Sequence, residues 1–173
     1  ADAVLKLKMQ PFEDIGFAKL DHHRALRQGV AEVVYGAGKT PEQILQIAAA
    51  MLPREKRTIL ITRLSPEAAG VLQSSYPLHY HEIARMGVIG ELPAPDGIGK
   101  IVVATGGTSD MPVAEEAALT AEVLGNTVVR IYDVGVAGLH RLLAHLDEIM
   151  SAKVIMAMAG MEGGLARVIG GLA

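Results

Sequence analysis

Apolar runs separated by glycine-rich turns dominate the second half of the chain. Three of these runs are short and rich in valine, isoleucine and alanine, as expected of strands buried in a parallel sheet: residues 100–104, 127–132 and 153–159. Helices are predicted over residues 112–124, over residues 139–150 and from Leu165. Because strands and helices alternate, we predict an α/β fold with a parallel sheet and right-handed crossovers.

The pattern of the first of these helices predicts its ends and its buried face. Ser109 or Asp110 is placed to cap its N-terminus, and Pro112 lies in its first turn. Gly125 is expected to end it. An apolar stripe is expected to face the sheet, formed by Val113, Ala117, Ala121 and Leu124.

The first half of the chain also alternates between strand and helix patterns, which predicts a small α/β domain. The expected strands are residues 31–35, 57–63, 78–83 and 83–89. Residues 91–97 then have the proline and glycine density of a linker. We therefore predict an N-terminal domain over residues 1–92, a linker over 93–99 and a second domain over 100–173.

Residues 36–40, GAGKT, are similar to part of a nucleotide-binding P-loop but lack one of its glycines. The full pattern needs a glycine five positions before Gly38, and Val33 stands there. Thr40 instead stands three residues before Gln43, which is the pattern of a capped helix N-terminus. A helix start is therefore preferred to a phosphate loop at this position.

Composition narrows the classes of function. The chain has 173 residues, of which 50% are hydrophobic, a net charge of −3 and a pI near 6.1, so it lacks the basic character of a nucleic-acid-binding protein. It contains no cysteine, no signal-peptide pattern and no apolar run long enough to span a membrane. We expect a soluble, cytoplasmic protein without a membrane partner. His22 and His23 are adjacent and would lie on different faces of a helix, so they cannot bind one ion together, and a surface role is preferred. His79 and His81 lack the companion ligands of a metal site, so surface or interface roles are preferred for them.

Ligands of parallel sheets bind outside the carboxyl ends of the strands, and here the three predicted ends are rich in glycines, hydroxyls and acids. We predict that N–H groups and hydroxyls bind phosphate there, that Asp110 or Asp133 binds ribose, and that Glu162 and Asp110 are the catalytic acids or bases. Each acid also has a structural alternative, as a helix cap, a turn residue or an exposed first-turn residue. The candidate binding residues are Gly106, Gly107, Thr108, Ser109, Asp110, Pro112, Asp133, Gly160, Met161 and Gly163.

The second half resembles the aminoimidazole ribonucleotide carboxylase (PurE-like) superfamily in three segments, GGTSDMPVAEEAALTAEVLGN, DVGVAGLHRLL and MAGMEGGLARVIGGL. Within that superfamily the chain is similar to LarB, a family of carboxylase/hydrolases in nickel-pincer nucleotide biosynthesis. The similarity to LarB includes the amino-terminal segment LDHHRALRQGVAEVVYGAGKTPEQ, which the purine-pathway enzyme does not have. The resemblance implies a three-layer, flavodoxin-like, PurE-like second domain.

The resemblance to LarB also implies a reaction. Nicotinic acid adenine dinucleotide would be carboxylated at pyridinium C5 with carbon dioxide or bicarbonate, and its phosphoanhydride would be hydrolysed with Mg²⁺ to release AMP. Thr108, Ser109 and Asp110 would hold phosphate and ribose, and Glu162 would lie near the reacting ring. The assembly implied is a homo-octamer.

A pyridinium ring attacks carbon dioxide only after a nucleophile has added to it, and LarB uses a cysteine for that step. Since this sequence has no cysteine, we expect the second domain to be C-terminally incomplete, with the family's cysteine in a later part. Two alternatives stay open. The protein is either an aminoimidazole ribonucleotide carboxylase or mutase of purine biosynthesis, or a non-catalytic module for nucleotide binding or assembly.

Overall fold

The computed structural model describes residues 12–24, 32–53, 58–161 and 163–173. The chain divides into two compact units, one of residues 1–80 with 86–91 and one of residues 81–85 with 92–173. No helix in the described ranges is long and apolar enough to cross a membrane.

The first unit is a small α/β structure. Its elements in chain order are strands β1 (Phe12–Asp14), β2 (Lys19–Asp21) and β3 (Val33–Tyr35), helix α1 (Pro41–Met51), strand β4 (Ile59–Thr62), helix α2 (Pro66–Gln73), and strands β5 (Leu78–His81) and β6 (Met86–Ile89). Strands β1 and β2 form an antiparallel hairpin. The other four strands form a sheet in the order β3–β4–β6–β5, in which β3 is parallel and β6 antiparallel to β4.

The GAGKT segment leads into helix α1, whose first turn has the predicted capping box. The Thr40 hydroxyl oxygen accepts the Gln43 N–H at 3.2 Å, and the Gln43 side chain accepts the Thr40 N–H at 3.0 Å. The Lys39 ammonium donates to the Tyr35 carbonyl at 2.6 Å. The predicted capping box is therefore confirmed, and the lysine is engaged by its own turn.

The predicted extended run over residues 83–89 is wrong in its first part. Residues 82–85 form the turn between β5 and β6, and Arg85 adopts a left-handed φ of 50°. The strand begins only at Met86. Apolar character alone did not reveal this turn, because neither glycine nor proline marks it.

The second unit contains a parallel sheet. In chain order it comprises strand β7 (Lys100–Thr105), a 3₁₀ turn (Thr108–Asp110), helix α3 (Met111–Val123), strand β8 (Thr127–Ile131), helices α4 (Leu139–Leu143) and α5 (Leu146–Met150), strand β9 (Val154–Met158) and helix α6 (Gly164–Leu172). Strand β7 is central, with β8 and β9 parallel to it on either edge.

Successive residues of β7 point to opposite faces of this sheet, and both faces are covered. Val103 packs with Ala114 and Ala118 of α3 on one face. Val102 and Ala104 belong to the core on the other face, which includes Leu142, Ile149, Leu165 and Ile169 of the remaining helices. The second unit is therefore a three-layer α/β structure, as predicted, and its strand order is that of the first three strands of a flavodoxin-like sheet.

Helix α3 is rotated relative to the prediction. Val113 is 56% and Leu124 44% exposed, so these two residues of the expected stripe do not face the sheet, whereas Ala121 is buried as predicted. The buried residues of the helix are Ala114, Ala118, Leu119 and Ala121. Three of these four are alanines, so the small residues face the sheet and allow the helix to pack closely against it, while the larger Val113 lies outside.

The predicted single helix over residues 139–150 is also corrected. It is broken by a turn at residues 144–145 into α4 and α5. The prediction for Gly125 is confirmed, since it ends the α3 region with a φ of 81° and donates its N–H to the Glu122 carbonyl at 2.9 Å.

We predict that Thr40→Ala destabilises the first unit by about 1 kcal/mol, because the substitution removes the side-chain cap of α1. Urea unfolding measures the loss. Thr40→Ser is the matched control, since it retains the accepting hydroxyl and should unfold close to the wild type. Equal stability of Thr40→Ala and the wild type would contradict the capping role.

Candidate functional site

The carboxyl edge of the parallel sheet has the topology of a ligand crevice. The chain leaves β7 toward α3 on one face, whereas it leaves β9 toward α6 on the opposite face. Open α/β sheets bind ligands where adjacent connections diverge in this way. We refer to the residues after the three strands, 106–110, 133–135 and 159–161, as the rim.

Asp110 joins the first and last segments of the rim. Its Oδ2 accepts the N–H of Gly107 at 3.0 Å, and its Oδ1 accepts the N–H of Gly160 at 3.1 Å. Asp110 is the N-cap residue of α3, as predicted, but its side chain makes no hydrogen bond within that helix. Its carboxylate turns back to the 3₁₀ turn and across to the β9 exit. Both oxygens of this predicted catalytic acid are therefore engaged by backbone donors.

Thr105 fixes the exit of the neighbouring strand β8. Its side chain is fully buried, at 0% exposure, and its Oγ1 accepts the Asp133 N–H at 2.9 Å. The Thr105 carbonyl accepts the next N–H, that of Val134, at 2.9 Å. Asp133 takes a left-handed φ of 56°, which aspartate tolerates better than most residues. Thr105 was not among the predicted site residues, and the predicted strand ended one residue before it, whereas the observed strand includes it.

The Asp133 carboxylate is exposed and accepts a charge-assisted hydrogen bond from Arg141 Nη1 at 2.6 Å. Arg141 lies in the short helix α4 and was not among the predicted site residues. A basic side chain in the first helix after an acidic strand end is the signal that could have identified it.

The rim segments approach one another closely. The Gly106 N–H donates to the Met158 carbonyl at 2.9 Å, which extends the ladder between β7 and β9 past the strand ends. A side-chain carbon added at Gly135 would lie 2.5 Å from the Gly106 carbonyl oxygen. Glycine is therefore required at Gly135 for the exits of β7 and β8 to lie side by side.

The remaining predicted site residues differ in where they lie. Thr108 and Ser109 are exposed on the 3₁₀ turn, Pro112 is exposed in the first turn of α3, and Met161 is 93% exposed. Gly163 precedes α6 with a φ of 67°. Glu162 lies outside the described residues.

A second set of charged side chains joins α3 to β8 and was missed by the sequence prediction. Arg130 bonds to Glu122 and Glu115, and the Tyr132 hydroxyl donates to Glu115 at 2.8 Å. The hydrogen bond to Glu122 raises the pKa of Arg130, and burial together with Glu115 raises the pKa of Tyr132. These bonds hold the helix to the edge strand.

The described part of the chain contains no group of three histidine, aspartate or glutamate side chains that could hold a metal ion. His79 and His81 are both exposed on β5. His22 is paired with Glu13, with 3.1 Å between the His22 Nε2 and Glu13 Oε2 atoms.

Known proteins similar to this chain define its family. A family model described as the LarB/PurE-like N-terminal domain matches residues 12–91. An uncharacterized protein of Methanocaldococcus jannaschii is 36% identical in an alignment 173 positions long, which covers 95% of this chain and 68% of that protein. The chain belongs to the LarB/PurE-like family. Membership of this family indicates a carboxylase-type enzyme in general terms.

We predict that Thr105→Val destabilises the second unit by about 1–3 kcal/mol, since a side chain of similar shape then leaves the Asp133 N–H without its buried acceptor. Urea unfolding and amide exchange at Asp133 measure the effect. Thr105→Ser retains the hydroxyl and serves as the control. Slow exchange of the Asp133 amide in the valine variant would show that the Thr105 hydroxyl is not what protects that amide from exchange.

We predict that Gly135→Ala destabilises the same unit by about 1–3 kcal/mol, because the added methyl group meets backbone rather than a flexible side chain. Gly170→Ala makes the same chemical change at an exposed helical position with nothing within 4 Å of the new carbon. That control should gain about 0.5–1 kcal/mol. Thermal unfolding of the two variants compares them, and the same melting temperature in both would contradict the close approach.

Proposed function

We propose that these residues form the nucleotide-binding part of a pyridinium-3,5-biscarboxylic acid mononucleotide synthase of nickel-pincer nucleotide biosynthesis. In the proposed reaction, nicotinic acid adenine dinucleotide is carboxylated at pyridinium C5 and its phosphoanhydride is hydrolysed to release AMP. Membership of the LarB/PurE-like family and the resemblance of the segments around the rim to LarB support the proposal.

The observation that carries the proposal is the alignment of two glycine turns at the divergence point of the sheet. Asp110 holds the turns at Gly107 and Gly160 together, beside the exposed hydroxyls of Thr108 and Ser109. The hydroxyls before the 13-residue helix α3 suit a phosphate group, whereas the N–H groups of Gly106 and Gly107 are already bonded within the chain. Asp133, exposed on the same rim, is the proposed acceptor for ribose hydroxyls.

The proposed reaction has two requirements, which are binding of the nucleotide and formation of the new bond at the pyridinium ring. In the proposal the rim binds and orients the nucleotide, and Glu162, two residues after Gly160, moves a proton near the ring. Addition of a nucleophile must precede attack on carbon dioxide. Because these 173 residues contain no cysteine, they supply binding and orientation but not a thiolate for that addition.

Magnesium and carbon dioxide or bicarbonate belong to the proposed reaction as well. The described residues do not offer a preformed magnesium site, since no group of three suitable side chains lies among them. We therefore assign no step to a protein-bound metal. Carbon dioxide or bicarbonate is proposed as the co-substrate, and a homo-octamer as the assembly.

Isothermal titration calorimetry with nicotinic acid adenine dinucleotide tests the binding part of the proposal. We expect binding by the wild type and about tenfold weaker binding by Ser109→Ala, as for the loss of a hydrogen bond to a charged phosphate. Ser151→Ala is the matched control, because the Ser151 hydroxyl donates to carbonyls within helix α5. Equal losses in the two variants would contradict a phosphate contact at Ser109.

A second assay tests bond formation. The chain is incubated with nicotinic acid adenine dinucleotide, magnesium and labelled bicarbonate, and we expect no incorporated label. Incorporation by this cysteine-free chain would overturn the assignment of its role. Tighter binding of aminoimidazole ribonucleotide in competition would favour the purine-pathway reaction, and a large oligomer in light scattering without nucleotide binding would favour an assembly module.

A further inference from the structure

Both oxygens of the Asp110 carboxylate accept hydrogen bonds from backbone N–H groups of this chain. Oδ2 accepts the Gly107 N–H at 3.0 Å within its own turn, and Oδ1 accepts the Gly160 N–H at 3.1 Å from a residue fifty positions later in the chain. One short side chain thus joins backbone segments that follow two different strands. We propose that Asp110 is a positioning residue that holds the β9 exit against the β7 exit, rather than a catalytic acid or base.

The hydrogen bond between Asp110 and Gly160 lies just beyond the end of the β7–β9 ladder. The β7–β9 ladder ends with the N–H of Gly106 donating to the Met158 carbonyl at 2.9 Å. Beyond that bond the two connections diverge, one toward α3 and the other toward α6, on opposite faces of the sheet. Beyond the last ladder bond, Asp110 links the two turns by its hydrogen bonds to Gly107 and Gly160. The distance between the two turns therefore depends on its carboxylate.

Space and charge around Asp110 agree with this role. A side-chain carbon added at Gly160 would lie 3.2 Å from Asp110 Oδ1, so the glycine lets the carboxylate approach the backbone. An ionised carboxylate accepts but does not donate, and two backbone N–H donors are the partners that it needs. Asparagine has a single acceptor oxygen at this place and keeps at most one of the two bonds.

This inference deepens the proposed function and rests on it, because Asp110 holds together the two turns to which the proposal assigns nucleotide binding. Asp110 then acts on the nucleotide through the backbone of both turns.

Amide hydrogen exchange in the absence of any nucleotide tests the positioning role. In Asp110→Asn we expect at least one of the Gly107 and Gly160 amides to exchange about tenfold faster, and in Asp110→Ala both, since each loses a hydrogen bond to a charged group. Asp147→Asn removes an exposed carboxylate from α5 and should leave both amides unchanged. Circular dichroism verifies that each variant is folded. Wild-type exchange rates at both amides in folded Asp110→Ala would overturn the inference.

Calorimetry with nicotinic acid adenine dinucleotide on the same variants separates positioning from direct contact. We expect Asp110→Ala to bind about tenfold more weakly than the wild type, together with the faster exchange. Weaker binding with unchanged exchange would overturn the inference, because it would show that Asp110 touches the ligand directly. Tighter binding would overturn it too, since the carboxylate would then compete with the ligand for the two N–H groups. If the wild type binds no nucleotide, the proposed function fails, while the exchange result still decides whether Asp110 holds the turns.

Discussion

The second unit depends on one constraint, which is that strand β7 is paired on both edges and covered on both faces. Its residues Val102, Val103 and Ala104 have no exposed surface, and its ladders with β8 and β9 are both parallel. Parallel pairing directs all three carboxyl ends to the same edge of the sheet. Every group of the rim is brought together by that alignment, since the residues concerned are far apart along the chain.

Hydrogen bonds beyond the strand ends convert this alignment into a defined geometry. The buried Thr105 hydroxyl holds the Asp133 backbone, and the Asp110 carboxylate holds the Gly107 and Gly160 backbones. The hydrogen bonds of the Asp133 and Gly107 N–H groups are partly buried, and partly buried N–H groups need an acceptor, which side chains provide here where the ladders stop. Polar residues at the rim therefore serve the backbone first, and only those left exposed, such as Thr108 and Ser109, can serve a ligand.

The segment that matches the family model and the rim lie in different units of the protein. The family model matches residues 12–91, whereas the rim belongs to residues 92–173. The relative from Methanocaldococcus jannaschii joins the two, because its similarity covers 95% of the chain. Within the first unit the capping box at Thr40 accounts for the GAGKT segment as a helix start.

The sequence by itself determined the alternation of strands and helices, the capping of α1, the end of α3 at Gly125 and the grouping of glycine turns at one sheet edge. These features depend on local periodicity, on caps and on glycine, whose physical causes lie within a few residues. It did not determine which face of α3 is buried, because the helix carries apolar residues around much of its circumference and close packing on β7 selected the alanines. It also did not reveal the turn at residues 82–85 or the roles of Thr105, Arg141 and Asp110. Those roles depend on bonds between segments distant in sequence, and only the pairing of β7 with β8 and β9 brings such segments within hydrogen-bonding distance.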